Sequence, residues 1–406
     1  MLEHICVLDL ADEKGSLCGR VLGDMGAEVI KVEKSNGDPA RRLGPFYHDD
    51  PNPEMSLHWW ALNGNKKGIT LDITKSAGRE IFRRLAQKAD FVVESFSPGY
   101  LEQLGLGYSG LKEENPRIIV ASITPFGQEG PYKDFIGPDI IIQSLGGMLD
   151  LCGDPDRPPV RISFPQAYFF ASLDAVTALL IALYNRNQCG EGQYIDVSAQ
   201  ESVVWNTWAS LYYWEMLREI PRRVGLKQQI TSVALRQFHW PCKDGTVAFS
   251  LFGGALGANI ANNENIVAWM DSKGMAPDYL KKYNWRALDF STISQDELDR
   301  LEEPIGRFFL TLTKEEFFKG MRERQILGAP LCTSKDIVKD PHLKARNFWK
   351  EVNHPELGIN VTYPGFVLPS PSKRAPLIGE HNEDIYIGKL NLSKGDLVML
   401  KEEGII

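Results

Sequence analysis

The sequence has little of what marks most metal-binding, secreted or nucleic-acid-binding chains. Its six cysteines, Cys6, Cys18, Cys152, Cys189, Cys242 and Cys332, form no C-x-x-C pair and have no histidine at ligand spacing. They read as reduced thiols rather than zinc ligands or a disulfide framework, and no metal site is expected. No basic run exceeds Lys66-Lys67 or Arg222-Arg223, and the net charge is −8. That argues against nucleic acid or an anionic membrane as partner, which need a basic face, but leaves room for a small polyanion held by a few local cations. Acids enter early, at Asp9, Asp12 and Glu13, so no signal peptide is expected. The longest apolar stretch, 168–184, holds Asp174 and is too short and polar to span a bilayer comfortably. The expected location is the cytoplasm. A G-x-G-x-x-G is missing after the first apolar run, where Asp12-Glu13-Lys14-Gly15-Ser16 stands, which makes a dinucleotide-dependent oxidoreductase a poor reading.

What is present is a regular alternation. Apolar β-runs at 5–10, 28–33, 69–72, 91–94 and 118–122 are separated by helical patterns at 17–25 and 75–88. Such spacing predicts βαβ units and a mostly parallel sheet covered on both faces. A long helix is expected over 166–187, stopped by Gly190-Glu191-Gly192, then a strand at 193–197 and a second long helix at 199–218. Pro221 and Gly225 break the pattern and mark 219–228 as a linker. The fold class is α/β, with a large domain at 1–218, a smaller α/β domain at 229–323, and a segment at 324–406 returning to the first. A last helix, capped by Ser393, ends that segment.

A series of motifs then runs in order along nearly the whole chain: Val7-Leu8-Asp9-Leu10, Gly26-Ala27-Glu28-Val29-Ile30-Lys31-Val32-Glu33, Asn65-Lys66-Lys67, Ser95-Phe96-Ser97-Pro98-Gly99, Gly127-Gln128-Glu129-Gly130-Pro131-Tyr132-Lys133, Gly190-Glu191-Gly192-Gln193 and Leu377-Ile378-Gly379-Glu380-His381. In this order they resemble the family III CoA-transferases, the formyl-CoA transferase (CaiB/BaiF) type. The resemblance implies a Rossmann-like large domain, a smaller domain joined by two linkers (near 219–228 and 324–345), and two ring-like subunits interlocked as chain links. It also implies an aspartate nucleophile that forms a mixed anhydride and then an aspartyl-CoA thioester, covalent catalysis that only a carboxylate can perform.

That aspartate is expected a short step after a proline-valine-arginine-like segment. Here Pro159-Val160-Arg161 leads, in register on both flanks, to Tyr168. A phenol of pKa about 10 is neutral near pH 7 and cannot serve. Asp174 is no simple substitute, since six helical residues displace it about 9 Å and turn it about 240°. Asp154 and Asp156 read as solvated turn residues.

The resemblance further assigns Lys34, Phe96 and Lys133 to weakened CoA contacts, and Gly253 and Gly254 to the glycine loop over the active site, in the run Phe252-Gly253-Gly254-Ala255. An arginine expected after the Pro-Gly turn is Gln103, and the first loop carries bulky Glu13 and Lys14. The base of the related racemases is absent, since Gly137-Pro138-Asp139 stands in its place. The aromatic stretch Trp205, Trp208, Tyr212, Tyr213, Trp214 suits core packing, a ring-accepting pocket or a subunit interface. Together these features imply a non-catalytic subunit of a CoA-transferase, most like the heterodimeric benzylsuccinate enzyme, with CoA thioesters as substrates, no covalently bound cofactor, and a related subunit carrying the aspartate as partner. The alternatives are a homodimeric lyase or hydrolase acting on CoA esters, or a CoA-ester binding protein.

Overall fold

The computed structural model describes residues 1–229, 234–254, 256–365 and 372–406. Its first half alternates strand and helix: β1 (Cys6–Asp9), α1 (Ser16–Asp24), β2 (Glu28–Glu33), α2 (Leu57–Asn63), β3 (Lys66–Thr70), α3 (Ser76–Ala86), β4 (Phe91–Glu94), α4 (Tyr100–Gln103), α5 (Tyr108–Glu114), β5 (Ile119–Thr124), α6 (Asp139–Leu145), α7 (Ala167–Cys189) and β6 (Tyr194–Ser198). The six strands form one parallel sheet in the order β3-β2-β1-β4-β5-β6. Its strands are nearly continuous apolar runs because both faces are covered. Val7, Val29 and Val93 point to the side packed by α1 and α7. Leu8, Ile30 and Val92 point to the other, packed by α3, α5 and the chain's last residues Ile405 and Ile406. Such alternation is the two-residue period of a strand.

After β6 come α8 (Ala199–Asn206) and α9 (Trp208–Tyr212), and a single π turn over Tyr213–Leu217. The single long helix expected at 199–218 is therefore broken. Thr207 is the cause: its hydroxyl bonds the Gly146 carbonyl at 3.1 Å as well as those of Val203 and Val204, which draws the backbone out of register. Beyond it lie β7 (Lys227–Gln229), β8 (Leu235–Gln237), β9 (His239–Cys242), β10 (Gly245–Phe249), α10 (Gly257–Asp271), α11 (Asp278–Lys281), α12 (Gln295–Phe309), α13 (Lys314–Glu323), β11 (Gly328–Pro330) and α14 (Ser334–Lys339). Strands β11-β10-β9 make a small antiparallel sheet over a core of Trp240, Phe249, Trp269, Phe308, Phe309 and Phe317. The chain closes with α15 (Pro341–Ala345), a hairpin of β12 (Trp349–His354) and β13 (Ile359–Pro364), and α16 (Lys394–Glu402), whose Ser393 and Asp396 form a capping box.

Two compact units result: 1–148 with 162–208 and 341–406, and 149–161 with 209–340. These units are bounded at 148, 161, 208 and 340, where the sequence reading set 218, 229 and 324; residues 230–233, beside the expected 229, lie outside the described residues. Residues 149–161 join the second unit because Arg223 holds both the Asp150 carbonyl and carboxylate at 2.9 Å, and Gly225 donates to the Gly153 carbonyl at 3.1 Å. Residues 324–340 join it through the β10–β11 pairing and the Lys314–Asp336 ion pair. The segment from Pro341 returns to the first unit, where Asp72 donates to the Ile405 carbonyl at 2.7 Å.

Helix α7 is, among the described residues, the one helix long and apolar enough to cross a membrane. Its inner residues Ala171, Ala175, Leu179 and Ala182 are buried in the sheet's core.

Candidate functional site

In a sheet of order 3-2-1-4-5-6 the connections diverge between β1 and β4, and ligands bind such sheets outside the carboxyl ends of the strands at that point. The loops meeting there are 10–15 and 95–99. The first is rooted on buried charge. Asp9, at the end of β1, pairs with Lys66 at 2.8 Å, and Lys31 pairs with Asp38 at 2.8 Å while donating to the Ala11 carbonyl at 2.5 Å. Burial opposes the charge on Lys31, but Asp38 and Asp9 outweigh it and hold its pKa above the ordinary value. A Cβ at residue 19 would lie 2.2 Å from the Asp9 carboxylate, so Gly19 makes room for it.

The two loops are tied to each other at Asp12 and Ser95. The Asp12 amide donates to Ser95 Oγ at 2.9 Å, and the Ser95 hydroxyl donates to Asp12 Oδ1 at 2.8 Å. Lys14 spends its ammonium on the Asp12 carboxylate. A loop that could have approached a phosphate is instead tied to its neighbour, with its cation already neutralised.

Tyr168 occupies the first turn of α7 and is 5 % exposed. Its hydroxyl donates to the Gly137 carbonyl. Burial, and then the neighbouring charges of Asp12, Glu13 and Asp139, push the phenol's pKa far above its usual value, so it is neutral. The carboxylate at this helix start is Asp139, whose Oδ1 accepts from the Ala167 amide at 2.9 Å and whose Oδ2 accepts from Gln143 at 2.5 Å. It satisfies an orphan amide at the positive end of the α7 dipole. Both of its oxygens are engaged. Asp174 is exposed one and a half turns on, and Asp156 is exposed in its turn, while Asp154 lies beside Arg157 at 3.8 Å.

The other expected site residues fall into three places. Lys133 is exposed and lines a cavity of about 360 Å³ with the Pro98-Gly99 turn, Tyr108, Glu102 and Glu129. Phe96 lies two residues before that turn, half-buried, its ring 4.8 Å from that of Tyr100. Gln103, where an arginine was expected, is exposed at the end of α4. Lys34 is exposed after β2, on the far side of β1, and does not line this cavity. Beneath, Glu94 is buried and its pKa rises to about 7, chiefly through burial; it accepts from the Phe96 amide at 2.7 Å. Among the described residues of that lining Lys133 is the one cation, and it shares the cavity with Glu102 and Glu129.

Gly253 and Gly254 belong to the second unit. Their run is fastened at its root: Asn263 brackets Phe252, accepting from its amide at 3.1 Å and donating to its carbonyl at 2.8 Å, and Asn259 donates to the Gly253 carbonyl at 2.7 Å. A Cβ on residue 253 would meet the Phe290 ring at 2.7 Å, and Gly254 sits at φ +86°, so both positions need glycine. Ala255, the last member of the run, lies outside the described residues. Among the described residues no cluster of His, Cys, Asp and Glu could hold a metal ion.

Sequence reasoning missed the Asp139–Gln143 pair, the Asp12–Ser95 stitch and the Gly137 carbonyl. The first left a signal, an acid and an amide four apart at a helix start; the other two are contacts between loops far apart in sequence.

Comparison with known proteins matches this architecture. The model of CoA-transferase family III covers residues 2–382. The chain is 31 % identical to the succinyl-CoA:(R)-benzylsuccinate CoA-transferase subunit BbsE of Thauera aromatica, over 94 % of this chain and 92 % of that one. It is 32 % identical to the succinyl-CoA–D-citramalate CoA-transferase of Chloroflexus aurantiacus, over 100 % and 98 %. The crystal structure of a CAIB/BAIF family protein from Brucella suis superposes with a TM-score of 0.80 at 29 % identity, covering 95 % of this chain and 98 % of that one. On sequence, fold and extent together, this chain belongs to CoA-transferase family III.

Proposed function

We propose that the chain is the non-catalytic subunit of a heteromeric family III CoA-transferase, paired with a related chain that carries the nucleophilic aspartate. The observation that carries this reading is the environment of Tyr168. A neutral phenol, bonded to a backbone carbonyl and surrounded by carboxylates, fills the place proposed for the nucleophile. Of the neighbouring carboxylates, Asp139 is committed to capping α7, and Asp12 to Lys14 and Ser95. The relative from Thauera aromatica, named as a subunit of a benzylsuccinate CoA-transferase, supports both the partner and a dicarboxylic acceptor with an aromatic substituent, such as benzylsuccinate.

In that reading the partner's aspartate attacks the succinyl-CoA thioester, giving a mixed anhydride and free CoA thiolate. The thiolate attacks the aspartyl carbonyl and releases succinate. The acceptor carboxylate then attacks the aspartyl-CoA, and the thiolate released takes the acceptor's acyl carbon and frees the aspartate. No proton need be lost in these steps. This chain contributes structure, with Lys133, Phe96 and Lys34 as weak CoA contacts and the loop of Gly253 and Gly254 as a covering element. In the same reading two ring-like subunits interlock, and the return of the segment after Pro341 to the large unit supports it.

The test is co-expression with a relative that keeps the aspartate, followed by native mass spectrometry and a succinyl-CoA transfer assay. A 1:1 complex active only with the partner's aspartate is expected. Transfer by this chain alone, with an acyl group trapped by hydroxylamine on one of its own acids, would sink the reading.

A further inference from the structure

The glycine run of the second unit is held by two separate pieces of chain. Asn263 and Asn259 of α10 grip its root at Phe252 and Gly253. The segment 288–290 forms its floor: the Gly254 amide donates to the Leu288 carbonyl at 2.9 Å, and the Phe290 ring lies where a Cβ of residue 253 would fall.

One side chain from a third piece joins root to floor. Arg236 of β8 places its guanidinium 5.6 Å from the centroid of the Phe252 ring and 5.6 Å from that of Phe290, within range of an attractive cation–π contact. Its Nη1 donates to the Leu251 carbonyl at 3.0 Å, immediately before the run. Nε and Nη2 both donate to Gln228 Oε1, at 3.1 and 2.6 Å, across the β7–β8 pair. Arg236, Phe252 and Phe290 are all half-buried. The acceptors that Arg236 meets are neutral, and Glu302 acts on it only at longer range, its carboxylate accepting from the Gln237 amide at 2.9 Å. An arginine placed for charge balance would meet a carboxylate. This one meets two rings and a carbonyl, which suits the flat faces and fixed fork of a guanidinium and not the point charge of an ammonium.

We infer that Arg236 is a positioning residue of the transfer reaction: it pins the Phe252 root of the glycine run to its Phe290 floor and so fixes the run as a cover for the aspartyl-CoA intermediate. This rests on the reading of that run as a covering element. A fixed cover keeps water from a reactive thioester. Where it loosens, a water oxygen bonds the aspartyl carbonyl and the C–S bond breaks. CoA leaves as the thiol with one proton of that water, and the aspartate returns as a carboxylate, releasing the other. The signature of a loose cover is CoA set free with no acceptor consumed.

The experiment compares Arg236→Met and Arg236→Lys with the parent in the assembled complex. It reads amide hydrogen exchange, and the ratio of CoA freed from succinyl-CoA to CoA transferred. Methionine fills the space between the rings without charge or donors; lysine keeps the charge without the fork. Exchange at the Phe252 and Gly254 amides is expected to rise about tenfold in Arg236→Met and less in Arg236→Lys, with β9 and β10 unchanged. The ratio of freed to transferred CoA should rise in the same order. Should Arg236→Met fail to assemble, Arg236→Lys carries both measurements. No rise in exchange, or one spread equally over the second unit, overturns the positioning role. A selective rise with an unchanged ratio overturns the role in the reaction. If the parent complex transfers no CoA, the heteromeric reading fails on its own account, and exchange at Phe252 and Gly254 still decides whether Arg236 holds the run.

Discussion

Around Tyr168 one phenol meets a carbonyl and three acids, and each contact has a cost that a substitution exposes. Tyr168→Phe removes the donor to the buried Gly137 carbonyl and should cost about 1–3 kcal/mol in chemical denaturation, while the heteromeric complex keeps most of its turnover. Tyr168→Asp sets a fourth carboxylate beside Asp12, Glu13 and Asp139; it should destabilise more than Tyr168→Phe and yield no acyl-enzyme on hydroxylamine trapping. Glu94 carries the clearest pH signature. Its folded pKa is about 7 against an ordinary 4.5, so the folded state holds a proton that the unfolded chain has released. Stability therefore falls as pH rises through that window and levels off above it, a loss on the order of 3 kcal/mol. Glu94→Gln should flatten this, raising the melting temperature at about pH 8 and changing it little at about pH 5. An unaltered pH slope in the variant would show that Glu94 is ionised at neutral pH. At this scale the sequence pointed to Tyr168 through register alone, whereas the Gly137 carbonyl and Ser95 hydroxyl that fix its surroundings carry no signal, because backbone acceptors and single serines look alike everywhere.

Elements were legible wherever local pattern and tertiary packing agree. Strands β2 and β4 fall on their expected residues, and α7 runs two residues beyond its expected end to the left-handed Gly190. Strand β3 was misplaced for a physical reason. It begins at Lys66 rather than residue 69, because Lys66 looks like a surface lysine yet is buried against Asp9, so hydrophobic patterning ends too late to see it. The break at Thr207 was equally hidden, since it depends on the Gly146 carbonyl sixty-one residues earlier in the chain. The reading of the aromatic stretch as core packing fails as well, for Trp205 is 73 % exposed and Trp214 is exposed too. Helix α7 starts on a borrowed cap, and that dependence is testable. Asp139→Ala frees the Ala167 amide and strands Gln143, and should cost about 2 kcal/mol in denaturation, with Asp139→Asn recovering part of it. A cost indistinguishable from zero for Asp139→Ala would mean that α7 does not need this carboxylate.

For the whole molecule, the telling quantity is apolar surface left in contact with solvent. Within the large unit, α7 is apolar over most of its circumference, yet Leu173, Ile181 and Tyr184 face outward, as do Ile140 and Leu145 on α6 and Trp205 on α8. A helix this apolar is ordinarily buried on most sides, and single chains rarely leave this much uncovered. Within the second unit Trp214, Met216 and Leu217 are exposed in the same way. Family membership makes a protein partner the economical cover, and interlocked rings would bury more than about 2,000 Å², the range of obligate complexes. Apolar burial is not screened by salt, so the complex with the aspartate-bearing relative should survive dilution and high ionic strength, unlike one held by surface ion pairs. Ile181→Glu and Trp205→Glu place charges on that surface without touching Tyr168, Lys133 or its cavity. Each should reduce the yield of the 1:1 complex in native mass spectrometry, the pair together more than either alone, while the partner's own fold is unaffected. If the double variant assembled as fully as the parent and sedimented identically at high salt, these faces would not be where the subunits meet, and the threading of one ring through the other would have to be abandoned.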